Sequence, residues 1–272
     1  MTIESAKAIV DGKTIESSPI MIEVVQSASI SELAKTKDIF IKTELEFDKA
    51  YIGQQVIVTF TLYSTQKILK VELTNIPEFS DGYTQFFEFS QFGGNIEVIN
   101  GKQYYALPAA RCALIPHKES QLKIEGLGVG LKVLETSGPF KKVVEKEVIS
   151  EAVILNVVPL ENKPENFTNA VGEFEFDAII TKSELAMNES STLTLTITGT
   201  GDMKAIEMPK FGELEDYFEV YEPTMNVITK EENNKIIAQK VLTYLLVPKK
   251  WAALAINQFS NILIRIRILL KR

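Results

Sequence analysis

The sequence is poor in the residues on which most enzyme and metal sites depend. Its 272 residues include one cysteine, one histidine and one tryptophan. A single cysteine cannot form an intrachain disulfide, and one cysteine with one histidine supplies too few ligands for a zinc-type cluster. This scarcity disfavours metal-dependent and thiol-based enzymes, so we predict no catalytic residues, no cofactor and no metal centre.

Excess basic charge and long apolar runs are also lacking. The chain has 29 basic and 36 acidic residues and a net charge of −7. Phosphate binding requires a concentrated cationic surface, so we expect no nucleic-acid partner. The sequence has no uncharged run of ~18 apolar residues, the length that spans a bilayer. The closest candidate is segment 262–270, which is too short and is interrupted by Arg265 and Arg267. We therefore expect a soluble chain.

Alternation of apolar and polar residues dominates what is present. Every second residue of segment 55–63 is apolar, as in a strand with one buried face. Further alternating segments lie at 39–45, 68–73, 121–125, 148–158, 174–180, 192–198, 236–247 and 262–268. A short helix is predicted only at 29–37. Many short strands separated by turn signals predict an all-β fold of tandem Ig-like antiparallel β-sandwich domains.

The chain also repeats itself. Leu114-Ile-Pro116 recurs as Leu246-Val-Pro248, 132 residues later, and an offset of 135 aligns the preceding strands. Because order and face are kept over the whole stretch, we predict two copies of one unit of about 130 residues.

The predicted units occupy residues 36–160 and 165–272, the second with an atypical end. Residues 1–28 resemble the last strands of such a unit, since a strand, a turn and a strand ending in Val-Val also close the first copy. We therefore expect residues 1–28 to be the C-terminal strands of a truncated preceding unit, and the chain to be an internal fragment.

Several motifs resemble those of a known family. Segment 51–63 is Tyr-Ile-Gly-Gln-Gln-Val-Ile-Val-Thr-Phe-Thr-Leu-Tyr, and segment 163–174 is Lys-Pro-Glu-Asn-Phe-Thr-Asn-Ala-Val-Gly-Glu-Phe. Together with Ile197-Thr-Gly-Thr-Gly201 and Leu246-Val-Pro248, they resemble the BatD family, the oxygen-tolerance proteins of the Bacteroides aerotolerance operon. The resemblance extends from about Ala6 to Pro248; residues 260–272 depart from it.

The resemblance implies a cell-envelope protein whose β-sandwich domains face the periplasm. It further implies an N-terminal signal and a C-terminal membrane anchor, so that membrane contact comes only through segments absent from this chain. The implied partners are von Willebrand A-type proteins, with a functional link to a MoxR-type AAA+ ATPase. No catalytic activity is implied.

Motifs that could suggest chemistry favour structural interpretations. His117 corresponds to Lys249 in the second copy, which favours a solvated turn residue over a general base. Cys112 lies in an apolar strand, where a lone cysteine behaves as a small buried hydrophobe. The run 126–130, Gly-Leu-Gly-Val-Gly, lacks the lysine and helix of a phosphate loop. The acidic groups at 44–48 and 213–216 lack the pattern of a calcium loop.

The remaining candidates for an interaction surface are aromatic and apolar. Phe86 and Phe92 in the aromatic cluster 86–92, Trp251, and the apolar run 110–116 could contact a partner, although burial in the core is the favoured interpretation of the cluster and the run. We predict a scaffold assembled through such surfaces or through a free sheet edge. The alternatives are a carbohydrate- or surface-binding adhesin-like sandwich, which needs exposed aromatics, and an enzyme with a site between the two units.

Overall fold

The computed structural model describes residues 29–250 except 80, 88–92, 138–139, 164–166, 168–169, 188, 210 and 213. Outside that range it describes six strands by their backbone. The four that precede residue 29 are β1 (Thr2–Ile3), β2 (Lys7–Val10), β3 (Lys13–Glu16) and β4 (Ile20–Met21). They form two antiparallel pairs, β1 with β4 and β2 with β3.

The first unit is a two-layer β-structure preceded by a short helix. Its elements are α1 (Ile30–Thr36), β5 (Ile39–Leu45), β6 (Lys49–Tyr51), β7 (Val56–Ser64), β8 (Lys67–Asn75), β9 (Gly82–Phe86), β10 (Asn95–Ile99), β11 (Lys102–Pro116), β12 (Ser120–Ile124), β13 (Gly128–Ser137), β14 (Phe140–Ile149) and β15 (Val153–Val158). One sheet has the order β10-β11-β7-β5, with β9 also paired to β11, and the strand sets β12-β15-β6 and β14-β13-β8 form the rest.

Alternation along β7 explains how the first unit closes. Val56, Val58, Phe60 and Leu62 are fully buried in a core that also receives Cys112 from β11. Side chains of a strand alternate between its two faces, so one row of β7 fills the space between the sheets. The residues between these positions, Ile57, Thr59 and Thr61, face outwards.

Strands β12 to β15 form one long hairpin with a bend in each arm. The first arm is β12 followed by β13, the second is β14 followed by β15, and β12 pairs with β15 and β13 with β14. Between β12 and β13, Leu127 exchanges two hydrogen bonds with Ser150, which lies between β14 and β15. The Ser150 hydroxyl also accepts a hydrogen bond from Thr43 Oγ1 at 3.0 Å. The sequence-based prediction of one strand at 148–158 is therefore wrong. The strand is interrupted after Ile149, because the backbone N–H and the hydroxyl group of Ser150 bond to Leu127 in the bend.

The second unit repeats the first. Its elements are β16 (Phe174–Ile180), β17 (Glu184–Leu185), β18 (Ser191–Gly199), α2 (Leu214–Tyr217), β19 (Phe218–Val220), β20 (Thr224–Glu232), β21 (Lys235–Pro248), β22 (Ala253–Phe259) and β23 (Ile262–Leu270). The sheet order β16-β18-β21-β19, with β20 on β21, reproduces β5-β7-β11-β9, with β10 on β11. The parallel pair β17–β23 likewise reproduces β6–β15.

One bulge accounts for a change of offset between the two copies. The hairpin turn Asn233–Asn234 follows its counterpart Asn100–Gly101 by 133 residues, whereas Pro248 follows Pro116 by 132. The pairing of β11 with β7 shifts register between Pro108 and Ala110, and the pairing of β21 with β18 does not shift. A bulge adds one residue to its strand.

The predicted helix at 29–37 is present as α1. Ser29 and Glu32 form a capping box: the Ser29 side chain accepts from the Glu32 backbone N–H and the Glu32 carboxylate from that of Ser29. Leu33 and Ala34 pack onto the outer face of the first sheet, in a cluster with the stacked rings of Phe40 and Tyr63. The helix is thus part of the first unit's packing.

The all-β sandwich prediction is confirmed. The predicted strands 39–45 and 174–180 are observed with those bounds, and the end at 262–268 forms β23. The expectation that residues 1–28 complete an earlier unit rests largely on residues outside the described ones, and the predicted unit boundaries stay predictions.

Candidate functional site

The three residues predicted as an interaction surface are not brought together among the described residues. Phe86 is the last residue of β9, opposite Cys112, and its half-buried ring packs against the core of the first unit. Phe92 and Trp251 lie outside the described residues. The predicted surface, and the carbohydrate-binding alternative that depends on Trp251, therefore stay predictions.

Cys112 has the environment of a core residue. Its side chain is fully buried, and burial raises the pKa of its thiol to about 12. A thiolate, the reactive form of cysteine, is thus disfavoured at neutral pH. His117 follows β11 on an exposed turn, with its Nε2 atom 3.5 Å from Oδ2 of Asp202 in the second unit. Gly126 lies between two strands, in the hairpin bend.

The described residues offer neither a metal-binding group nor a membrane-spanning helix. No three His, Cys, Asp or Glu side chains of the described part of the chain are grouped so that they could hold a metal ion. Of the acidic group 213–216, residue 213 lies outside the described part. Among the described residues, neither helix has the length and apolar character needed to cross a bilayer.

Polar and apolar contacts join the two units at the junction between them. Ile57, Phe87 and Ala113 of the first unit form a buried cluster with Ile236 of the second. Ile57 and Ala113 project from the outer face of the first sheet, and Ile236 projects from the hairpin β20–β21. The second unit therefore docks its hairpin on the first unit's sheet.

Gln55 provides the polar centre of this junction. Its side-chain nitrogen donates to the carbonyl oxygens of Thr200 and Ile236, both at 2.7 Å, and its side-chain oxygen accepts from the Ile236 N–H at 3.0 Å. The amide is buried, and a buried amide with these partners is costly to remove because they would be left unpaired. Sequence reasoning missed Gln55; the only signal was a polar residue at the start of an apolar strand.

Arg111 forms the charged part of the junction. Its guanidinium group stacks 4.1 Å from the centre of the Phe87 ring and donates to Asn234 Oδ1 at 3.0 Å and Glu231 Oε1 at 2.8 Å. Both acceptors lie at the tip of the β20–β21 hairpin. Arg111 belongs to the run 110–116 predicted to be apolar core or partner surface, and the partner of its outer face is the chain's own second unit.

A small cleft of about 200 Å³ borders the junction. Its lining includes Tyr83, Asp202 and Lys204. Asp202 accepts from the Lys204 backbone N–H at 2.9 Å and lies beside His117, and the Lys204 ammonium lies 5.5 Å from the centre of the Tyr83 ring. In these contacts the charged groups of the cleft bind neighbouring residues of the chain. They give no support to the alternative of an enzyme with a site between the units.

Comparison with known protein families finds a match for part of the chain. Residues 178–263 match the family model described as the BatD DUF11-like domain. This match confirms the resemblance that the sequence motifs indicate, and it covers most of the second unit. No curated protein matches the chain.

Proposed function

Since residues 178–263 match the model of a BatD-family domain, we propose that this chain is a non-enzymatic interaction scaffold of the cell envelope. In this proposal its β-sandwich units face the periplasm, in a protein anchored through segments outside this chain. The units assemble with von Willebrand A-type envelope proteins, functionally linked to a MoxR-type AAA+ ATPase, in oxygen and stress tolerance.

The junction between the units is the observation that carries this proposal. A scaffold must hold its contact surfaces at a fixed separation, and a loose linker would lower the effective concentration of one site relative to another. Here a buried apolar cluster, the three hydrogen bonds of Gln55 and the Arg111–Glu231 pair tie the two sandwiches together. These interactions support a fixed arrangement.

The test is native co-purification of the full-length protein from membranes. We expect von Willebrand A-type proteins to be retained with the wild type, and less with the double variant Gln55→Ala/Arg111→Ala, in which the units are no longer held together. Gln121→Ala, an exposed glutamine on β12, is the matched control. Failure of the intact protein to retain any von Willebrand A-type protein would overturn the proposal.

A further inference from the structure

The junction consists of two complementary faces that the repeat should duplicate. The sheet face is the outer surface of the first unit at Ile57, Ala113 and Ile115, all buried. The hairpin face is the side of β20–β21 that carries Thr229, Glu231, Ile236 and Ala238, of which Ile236 joins the buried cluster and Glu231 binds Arg111. Each unit contains the strands for both faces.

The first unit's own hairpin face is exposed and mostly apolar. In β10–β11, the residues 133 positions before Thr229, Glu231 and Ala238 are Ile96, Val98 and Tyr105, and the residue equivalent to Ile236 is the exposed Gln103. The exposed fractions of Ile96, Val98 and Tyr105 are 62%, 67% and 44%. Contiguous exposed apolar surface on a protein marks interaction sites.

The second unit's sheet face is likewise uncovered by the described residues. Leu245 and Val247 lie 132 positions after Ala113 and Ile115, and Thr192 lies opposite Leu245 as Ile57 lies opposite Ala113. Leu245 is 42% exposed, whereas Ala113 is 3% exposed beneath the docked hairpin. Tyr221, whose backbone N–H donates to the Leu245 carbonyl oxygen, adds an exposed ring beside it.

The charges of the two free faces change together. In the internal junction Arg111 pairs with Glu231. The residue equivalent to Arg111 on the free sheet face is Thr243, and the residue equivalent to Glu231 on the free hairpin face is Val98. Because both partners of this ion pair are replaced by uncharged residues, contact between the free faces would bury neither charge of the pair without its partner, which is the costly case.

We propose that a second copy of this chain docks the hairpin face of its first unit on the sheet face of the second unit, repeating the internal junction between molecules. The contact joins two different surfaces, so it is head-to-tail, and each added copy presents the same free faces again. The expected product is a linear assembly that grows with concentration.

The experiment is sedimentation velocity of the purified chain over a wide concentration range. We expect the wild type to sediment faster as concentration rises. Ile96→Asp on the hairpin face and Leu245→Glu on the sheet face should each weaken self-association about tenfold or more, because each places a charge in an apolar contact. Val143→Asp, on the exposed side of β14, is the matched control and should behave as the wild type.

A mixture of the two variants distinguishes this contact from any other. The Ile96→Asp chain keeps an intact sheet face, and the Leu245→Glu chain keeps an intact hairpin face, so together they should form a one-to-one dimer that grows no further. Circular dichroism verifies that both are folded. A wild type that stays monomeric at every concentration would overturn the proposal, as would a mixture that forms no dimer.

Discussion

The single thiol of the chain reports on the integrity of its core. Cys112 lies opposite Val58 and Phe86 and is fully buried. We expect native protein to react only slowly with an aromatic disulfide reagent at pH 8, at a rate set by unfolding, and to give one fast thiol in urea. Glu119→Cys in a Cys112→Ala background is the exposed control and should react at once. Immediate stoichiometric labelling of the native wild type would contradict the assignment.

The same thiol links stability to alkaline pH. Its pKa is raised from 9.0 to about 12 in the folded chain, so between these values the unfolded chain releases a proton that the folded chain retains. This contribution to stability is complete below pH 9 and is lost as the pH rises towards 12. Urea denaturation of the wild type and Cys112→Ala should therefore show a smaller decline with pH in the variant.

The bend in the long hairpin depends on a residue without a side chain. A Cβ atom at Gly126 would lie 2.1 Å from the Ser150 carbonyl oxygen, and Ser150 is held in place by the hydrogen bonds of its N–H and hydroxyl groups with Leu127. We expect Gly126→Ala to lower the free energy of unfolding by about 1–3 kcal/mol. At Gly93 an added Cβ meets no atom within 4 Å, so Gly93→Ala should leave stability unchanged or slightly raised. Equal effects would contradict the close approach.

Among the elements, α1 is bonded at its C-terminal end to the first sheet through the hydroxyl group of Tyr104. The buried Tyr104 hydroxyl donates within reach of the Ala34 and Lys37 carbonyl oxygens, at 3.1 and 2.9 Å, where the last carbonyls of a helix have no partner within it. We expect Tyr104→Phe to cost about 1–2 kcal/mol of unfolding free energy. The neighbouring exposed Tyr105 provides the comparison, since Tyr105→Phe should change stability by less than ~0.5 kcal/mol. Denaturation of both variants by urea provides the measurement.

The strands show how far local pattern predicts an element. Segment 174–180 is recognisable because its alternation is regular, whereas 148–158 alternates just as well but bends at Ser150. The bend depends on Thr43 and Leu127, which are distant in sequence from Ser150. Alternation with a period of two predicts which face of a strand is buried. It does not predict where the hydrogen bonds to the partner strand are interrupted.

At the scale of the whole molecule, the junction should make the two units unfold together. Removing the Gln55 amide leaves the Ile236 N–H and two carbonyl groups without their partner. We expect Gln55→Ala to weaken the coupling between the units by about 1–3 kcal/mol and to separate one calorimetric transition into two. Gln121→Ala should retain the wild-type profile; if Gln55→Ala retains it as well, the junction does not couple the units.

The sequence by itself determines the all-β class, the internal repeat and the BatD-family resemblance, because these depend on periodicity and on motifs that are local in the chain. The scarcity of cysteine and histidine can likewise be read from the sequence alone. Tertiary structure alone decides which face of each unit is covered. Gln55 meets Thr200 and Ile236 across 145 and 181 residues, and Arg111 meets Glu231 across 120. No local pattern specifies such pairings, since they follow from how two completed sandwiches pack against each other.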